Sequence, residues 1–227
     1  MKKIVLAAAC CLAILTGCGN MSNLGKGALI GTGAGVAAGA GIGALIGGEK
    51  GAAIGAAIGT AVGAGAGAVI GDVMDRKAAE LAAIQDASVE TVEDVNGLQA
   101  IKVTFDSGIL FDTNKSNLSS EAKANLKTFS EKMQDMPDTQ ITIFGHTDNT
   151  GTAEVNQKLS QKRADAVATQ LQNLGIDKGR IVSEGKSFDF PVADNATAEG
   201  RAQNRRVELF ISADENMVKA AENGTLK

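Results

Sequence analysis

Two residues of opposite charge, Asp148 and Arg163, are best placed by their neighbours to bind a charged group. Arg163 stands at the centre of a row of apolar residues spaced four apart, formed by Val155, Leu159, Val167 and Leu171. A guanidinium held within such a row could bind a carboxylate through two parallel hydrogen bonds. The alternative is an arginine that packs its aliphatic stem on the core and keeps its charged head at the rim. The spacing alone leaves both interpretations open.

Asp148 belongs to the segment Gly-His-Thr-Asp-Asn-Thr-Gly at 145–151, between a predicted strand and the helix that carries Arg163. Loops at the carboxyl ends of strands are common ligand sites in α/β proteins, and the Asp148 carboxylate could bind a cation there. His146 and Asp148 could also be read as metal ligands or as an acid–base pair. However, His146 is the single histidine, and the three cysteines all lie within the first 18 residues. We therefore expect no metal, no cofactor and no catalysis.

The predicted elements that position these residues are, in order, a β-hairpin, a helix, a strand, a helix and two strands. The hairpin strands at 89–95 and 98–105 flank Asn96-Gly97, a pair typical of type I′ turns. Apolar spacing predicts helices at 120–136 and 153–174, and further strands at 140–144, 181–185 and 206–211. Strands that alternate with helices predict an α/β sandwich with the helices on one face of the sheet.

Ahead of this domain, glycine recurs at every fourth position from Gly27 to Gly71, mostly with Ala, Ile, Val or Leu between. Glu49 and Lys50 are the only charges in the run, and each arm on either side of them has about the 20 residues needed to cross a membrane. Such small-residue stripes allow helix backbones to pack closely in a bilayer. The repeat predicts a Gly-zipper helical hairpin over 27–71, which could form homo-oligomers. The alternative is a flexible Gly/Ala-rich linker.

The N-terminus has the pattern of a secretory signal over 1–17, with two lysines followed by an apolar run from Ile4 to Leu15. It ends in Leu15-Thr16-Gly17-Cys18, which resembles a bacterial lipobox, so we expect Cys18 to be lipidated and 18–26 to be a tether. The alternative is an ordinary signal peptide followed by a free cysteine. Gly19, where inner-membrane lipoproteins often carry Asp, favours the outer membrane.

Charge and polarity suggest how the remaining segments are arranged. Asp72, Asp75, Arg76 and Lys77 mark an exit into water, so 72–88 is predicted to be a helical stalk, 89–213 the globular domain and 214–227 a tail. The formal net charge is −4, and without Lys2 and Lys3 there are 20 basic and 26 acidic residues. This balance gives no basic patch of the kind that binds nucleic acid.

Several short motifs from position 111 onward occur in the order found in one known family. They are Phe111-Asp112, Gly145-His146-Thr147-Asp148, Gly151, Asn156, Leu159-Ser160, Arg163-Ala164, Gly185, Pro191, Gly200-Arg201 and Asn204-Arg205-Arg206-Val207-Glu208. This set resembles the OmpA-like C-terminal domain. Together with the lipobox and the Gly-zipper, the whole chain resembles the YiaD-like outer-membrane lipoproteins. That resemblance implies non-covalent binding of peptidoglycan, with the domain in the periplasm.

The resemblance also implies a role for individual residues. The stem peptide of many Gram-negative walls contains meso-diaminopimelate, whose side chain ends in an ammonium and a carboxylate. By the family motif, Asp148 would bind the ammonium and Arg163 the carboxylate, with Asn156 and Thr147 beside them. Asp112 and Arg205 match positions that line the same cleft. Two further arginines, Arg201 and Arg206, are expected to hold the end of the domain by hydrogen bonds.

Two functions of different classes follow from these patterns. The first is a tether that joins the outer membrane to the wall. The second is a pore or stator-like assembly of zipper hairpins, positioned by the wall-binding domain. The stator version resembles flagellar motor proteins, but those lack a lipobox and carry a carboxylate within the membrane. A wall-cleaving enzyme is the third and least favoured, because no metal ligand set or nucleophile constellation is present.

Overall fold

The computed structural model describes residues 62, 64–94, 96–111 and 115–226. The predicted signal peptide, the lipidated tether with Cys18 and most of the hairpin at 27–71 lie outside these residues. Asp112 also lies outside them. Within the part of the chain that the structure describes, no helix is both long and apolar enough to cross a membrane.

A five-stranded mixed sheet forms the centre of the domain. Its strands are β1 (Ala87–Glu93), β2 (Gln99–Asp106), β3 (Thr139–Gly145), β4 (Ile181–Gly185) and β5 (Arg206–Ala213). They lie in the order β1-β2-β5-β3-β4. β3 and β4 are parallel, and the other neighbouring pairs are antiparallel. Because β5 lies between β2 and β3, residues far apart in the sequence meet at one end of the sheet.

Successive side chains of a strand point to opposite faces of the sheet, so the positions of the apolar residues determine which face is covered. Ile101, Ile211 and Ile141 lie side by side in register on one face, and all three are fully buried. The next row on that face is Val103, Leu209 and Ile143, also fully buried. Burying both rows stabilises the fold because apolar area is removed from water. Because buried apolar residues occur at every second position of these strands, one face of the sheet is apolar and packs against the helices.

The helices are α1 (Ala64–Leu81), α2 (Ser107–Leu110), α3 (Ser120–Lys132), α4 (Ala153–Asn173), α5 (Ala198–Asn204) and α6 (Glu215–Glu222). Their buried apolar residues and the covered face of the sheet form one core. Side-chain hydrogen bonds cap the amino ends of several of these helices; for example, the Ser119 side chain caps α3, and the Thr152 side chain caps α4. Gly175 ends α4 with φ at 96°, a value that favours glycine. The predicted α/β fold class is confirmed.

Helix α1 differs from the stalk expected over 72–88. Ile70, Met74 and Leu81 have no exposed surface and belong to the domain core. Lys77 is buried as well, and its Nζ donates to both carboxylate oxygens of Asp135 at 2.8 Å. Asp72 and Arg76 lie on the exposed side of this helix, while Lys77 lies on the buried side with the i, i+4 apolar row of Ile70, Met74 and Ala78. Helix α1 is therefore part of the globular domain, and the strand after it begins at Ala87.

Two local expectations are corrected. The hairpin does not close with a two-residue type I′ turn at Asn96-Gly97, because Asp94 N–H donates to the Leu98 carbonyl at 2.7 Å and Gly97 N–H donates to the Asp94 carbonyl at 3.0 Å. Asp94 Oδ1 also accepts from the backbone N–H groups of Asn96 and Leu98 at 2.7 and 2.9 Å. The predicted tail at 214–227 contains α6, whose Met217 is buried in the core. An amphipathic helix of eight residues is easily missed in a polar terminal segment.

Candidate functional site

A cleft of 380 Å³ opens where the carboxyl ends of β2 and β3 meet the amino ends of α4 and β5. It is lined by Ser107, Gly108, Phe111, Thr147, Asp148, Thr150, Asn156, Leu159, Arg163, Arg201 and Arg205. Of the predicted ligand-binding residues, the structure brings together Thr147, Asp148, Asn156, Arg163 and Arg205. The sixth, Asp112, lies outside the described residues. These residues come from segments that are up to 58 positions apart in the sequence, from Thr147 to Arg205.

Two glycines allow α4 to lie close enough to the sheet to reach this cleft. A Cβ at Gly145 would overlap the backbone carbonyl oxygen of Ser160, and one at Gly185 would overlap the backbone of Gln161. Both glycines therefore permit a close approach that a larger residue would prevent. The resulting contact holds the helix beside the strand ends, so that Asn156 and Arg163 line the cleft together with Thr147 and Asp148.

The Arg163 guanidinium is buried, and the residue is only 3% exposed. Its Nε donates to the Lys115 carbonyl at 3.2 Å, and its Cζ lies 5.2 Å from the centre of the Phe111 ring. Nη1 is buried without a hydrogen-bond partner among the described residues. Burial lowers the pKa of Arg163, and the charge of Arg205 lowers it further, but an arginine stays protonated. The charged head is therefore inside the cleft and not at the rim.

An unpartnered buried donor on a cation has a direct chemical meaning. Leaving such a donor unsatisfied costs about 1–3 kcal/mol, and more when the group is charged. A carboxylate in the cleft would satisfy it through a charge-assisted hydrogen bond. The Phe111 ring supports the guanidinium from one side by a cation–π contact, which fixes its position. Arg163 is therefore suited to bind an anionic group.

Asp148 supplies the carboxylate of the cleft. Its Oδ2 accepts from Arg205 Nη1 at 2.7 Å, and its Oδ1 accepts from the backbone N–H of Thr150 at 2.9 Å. Burial alone would raise the pKa of Asp148, but the hydrogen bonds from Arg205 and Thr150 outweigh burial and leave the pKa below its ordinary value. Asp148 is therefore ionised at neutral pH and can bind a cation.

The two uncharged residues of the predicted site are also held by hydrogen bonds. The Thr147 backbone N–H donates to the Ser187 carbonyl at 2.8 Å, while its buried Oγ1 has no partner among the described residues. Asn156 Nδ2 donates to the Thr150 carbonyl at 3.0 Å and so joins α4 to the loop. Thr147 therefore offers a hydroxyl in the cleft, and Asn156 fixes the loop that carries Asp148.

His146 does not join Asp148 in the cleft. Its Nε2 lies 3.3 Å from Glu208 Oε2, and burial lowers the pKa of His146, so the imidazole is neutral at pH 7. Burial would raise the pKa of Glu208, yet the contact with His146 and the charge of Arg206 bring it to about 2. No cluster of metal-ligating side chains occurs in the ranges given above. The arrangement around His146 is a buried ionic network beneath the site.

Family models match two separate parts of the chain. Residues 110–205 match the OmpA family, and residues 1–75 match the YMGG-like Gly-zipper. The first match contains the motif residues quoted above from position 111 to Arg205. The second contains the glycine repeat.

A curated relative extends the match beyond the family model. The outer-membrane lipoprotein YfiB of Pseudomonas aeruginosa is 30% identical over 137 residues, which cover 60% of this chain and 79% of that protein. The chain belongs to the OmpA family. The probable lipoprotein YiaD of Escherichia coli is 38% identical over 112 residues, covering 49% of this chain and 51% of that protein. The resemblance to lipoproteins of this kind is therefore confirmed.

A solved structure supports the same assignment for the fold. The cell wall anchor of the type VI secretion system from Pseudomonas aeruginosa aligns with a TM-score of 0.53 and 34% identity. The alignment covers 62% of this chain and 97% of that one. The matched segment of this chain spans only 31% to 58% of the lengths of the first curated relatives. What this chain shares with them is the OmpA family domain.

The cleft of this OmpA family domain includes residues that the sequence analysis did not propose as ligands. Ser107 and Gly108 lie in the short helix α2, which has no recognisable sequence signal because four residues show no periodicity. Arg201 lines the cleft and also donates to the carbonyls of Asn195 and Ala196 at 2.9 and 3.1 Å. The expected structural roles of Arg201 and Arg206 are confirmed, since Arg206 also donates to the Phe190 carbonyl at 3.1 Å.

Proposed function

We propose that the protein binds peptidoglycan non-covalently and tethers the outer membrane to the cell wall by recognising diaminopimelate in the stem peptide. The observation that carries this proposal is one cleft that contains both a buried guanidinium with an unpartnered donor and an ionised carboxylate. Arg163 and Asp148 are these two groups. A ligand that ends in both a carboxylate and an ammonium satisfies both.

Diaminopimelate has the required chemistry, because its side chain ends in an amino acid group. In the proposed complex Arg163 binds the carboxylate and Asp148 binds the ammonium. The Thr147 hydroxyl and Asn156 make polar contacts beside these groups, and Arg205 and Asp112 border the same site. Each step is recognition by charge and hydrogen bonding, and no covalent bond forms or breaks.

The descriptions of the relatives named above support both parts of the proposed tether, attachment to the membrane and attachment to the wall. Two of them are described as lipoproteins and a third as a cell wall anchor. We propose that Cys18 carries the lipid and that the domain faces the periplasm. Each buried CH₂ of an acyl chain adds about 0.8 kcal/mol of membrane affinity, so two or three chains on one cysteine hold a protein firmly on a bilayer.

The direct test is co-sedimentation of the detergent-solubilised full chain with isolated diaminopimelate-type sacculi. The variants are Asp148→Ala and Arg163→Ala, and each leaves one charge of the ligand unpaired. Removing one partner of a desolvated charged hydrogen bond costs about 2–5 kcal/mol, or roughly 30-fold or more in affinity. Lys158→Ala is the matched control, because this lysine lies on the same helix with its side chain 69% exposed.

Circular dichroism of every variant checks that the fold survives. The proposal predicts that wild type and the Lys158 variant sediment with sacculi, while both site variants stay in the supernatant. Equal retention of wild type and both site variants would refute the proposed site. Retention of none of the proteins would refute peptidoglycan binding itself.

A second candidate function is a membrane oligomer formed by the zipper hairpin, and the Gly-zipper match over residues 1–75 favours it. In this case the wall-binding domain positions the assembly. Replacing Gly55 and Gly59 together with Leu keeps the segment apolar but prevents close helix packing. Loss of crosslinked oligomers in this variant supports the assembly, and unchanged oligomers favour the linker interpretation.

A further inference from the structure

The carboxylate proposed to bind the ligand ammonium is already paired with a cation of the protein. Arg205 Nη1 donates to Asp148 Oδ2 at 2.7 Å, and Thr150 N–H donates to the other oxygen at 2.9 Å. The side chain of Asp148 is 12% exposed, so few further positions around it are accessible. A ligand ammonium that approaches Asp148 must therefore meet Arg205.

Arg205 is held less firmly than the other two arginines of the cleft. Arg163 is buried against Phe111, and Arg201 donates to two backbone carbonyls. The Arg205 side chain is 41% exposed, and its hydrogen bond within the described residues is the one to Asp148. Its backbone is fixed, because its carbonyl accepts from Ser107 N–H at 2.9 Å. The guanidinium can therefore move into solvent while the backbone stays in place.

The charges around the cleft favour this movement when a cation binds. The described lining contains the three guanidinium groups of Arg163, Arg201 and Arg205 but a single carboxylate, Asp148. An ammonium within hydrogen-bonding distance of Oδ2 would lie close to the Arg205 guanidinium, and like charges at that range repel. The ammonium and Arg205 therefore compete for the same carboxylate.

We propose that Arg205 is an internal counter-ion that determines specificity, and this inference rests on the proposed peptidoglycan function. A side chain that ends in an ammonium alone, as in lysine, displaces Arg205 from Asp148 and gives it no new partner. A side chain that ends in both charges, as in diaminopimelate, brings a carboxylate that compensates the released guanidinium and Arg163. Arg205 thus weakens the binding of ligands that carry only an ammonium, but not of ligands that carry both charges. Specificity then arises from a free-energy cost imposed on the wrong ligand.

The test uses two synthetic tetrapeptides, L-Ala-γ-D-Glu-X-D-Ala, in which X is meso-diaminopimelate or Lys. Calorimetry measures the affinity of each for the solubilised full chain as wild type and as Arg205→Gln. We expect the variant to bind the Lys peptide about fivefold more tightly than wild type does, the upper end for loss of an exposed ion pair. Its affinity for the diaminopimelate peptide should change by less than about twofold. The variant loses the contact between Arg205 and the ligand carboxylate, but the ligand no longer has to displace Arg205 from Asp148, and these two effects offset each other.

Lys219→Gln is the matched control, because it removes the same charge from an exposed pair on α6, Lys219–Glu215 at 2.7 Å. It should leave both affinities unchanged. If Arg205→Gln leaves the ratio of the affinities for the diaminopimelate and Lys peptides unchanged, including by weakening both equally, the inference is overturned. The proposed function would still stand. Absence of binding to either peptide by wild type would overturn both.

A second readout does not depend on a variant. Arginine side-chain NMR of the wild-type chain reports whether the Arg205 guanidinium leaves Asp148 when a saturating tetrapeptide is added. We expect a chemical-shift change at Arg205 with either peptide, larger than the change at Arg201. An Arg205 signal that does not move when the diaminopimelate peptide saturates the protein would contradict displacement.

Discussion

Helix α1 should contribute a large part of the stability of the domain, and this can be measured by shortening the chain. A fragment that begins at residue 88 lacks the helix, while one that begins at residue 62 keeps it. The removed helix carries three fully buried side chains, Ile70, Met74 and Leu81. Each such burial stabilises by about 1.5–3 kcal/mol, so the expected loss is roughly 5–9 kcal/mol. Domains of this kind unfold with about 5–15 kcal/mol in total, so the shorter fragment should be unfolded or nearly so.

Urea denaturation followed by circular dichroism provides the assay. The shorter fragment should show a lower midpoint and a smaller slope, because less surface becomes exposed when it unfolds. A point variant tests the same reasoning in a chain that keeps α1: Met74→Ala should lose about 2–5 kcal/mol. Val69→Ala is the control on the same helix, because Val69 is 39% exposed, and we expect a loss below about 1 kcal/mol.

Equal midpoints and equal slopes for the two fragments would refute the argument. That result would mean that α1 does not pack on the sheet in solution and that a separate stalk over 72–88 is the better description. A Met74 variant as stable as the Val69 variant would lead to the same conclusion.

Three further predictions concern the site and its support. Arg163→Lys should weaken binding to diaminopimelate-type sacculi by about tenfold or more, because a lysine cannot make the planar two-bond contact; co-sedimentation measures it. Gly145→Ala should destabilise the domain by about 3 kcal/mol in urea denaturation, since its Cβ would overlap the Ser160 carbonyl. Stability should fall as pH drops from 4.5 towards 2, because Glu208 has a folded pKa of about 2; Glu208→Gln should remove roughly 3 kcal/mol of that dependence.

Each of these predictions has an outcome that contradicts it. Full binding by Arg163→Lys would show that only the positive charge matters at this position. A Gly145→Ala domain as stable as wild type would show that α4 can move away from β3 without cost. An identical pH dependence of unfolding in wild type and Glu208→Gln would show that another carboxylate is responsible. Gly175→Ala, at a glycine with open space around it but positive φ, separates backbone strain from steric overlap.

The helices of the site could be predicted closely because their signals are local. The helix at 153–174 is observed at Ala153–Asn173, and the strand at 181–185 is observed with those bounds. A cap at Thr152 and a glycine at 175 act within one turn of the helix ends, so neighbouring residues suffice to place them. Residues 146–151 lie between strand and helix as predicted, while Gly145 is the last residue of β3.

The role of α1 could not be predicted in this way. Its charged residues, such as Asp72 and Arg76, are real exposed positions, with side chains 64% and 61% exposed. Periodicity shows that a helix has an apolar side, but it does not show which surface covers that side. A stalk in an oligomer and a layer on a sheet have the same pattern, and only the packing of Ile70 and Met74 on the domain distinguishes them.

The sequence by itself identified Asp148 and Arg163 as candidate ligand residues through the family motifs, and it established the glycine repeat and the α/β class, because these depend on residue type, spacing and order. Tertiary structure decided which residues share the cleft. The strand order β2-β5-β3 brings Ser107, Asp148 and Arg205 to one end of the sheet. The tertiary structure also buries the Arg163 guanidinium with its Nη1 unpartnered among the described residues. It pairs Arg205 with Asp148, 57 residues away in the sequence. Such pairings depend on distances through space between separate elements, and local spacing along the chain carries no information about them.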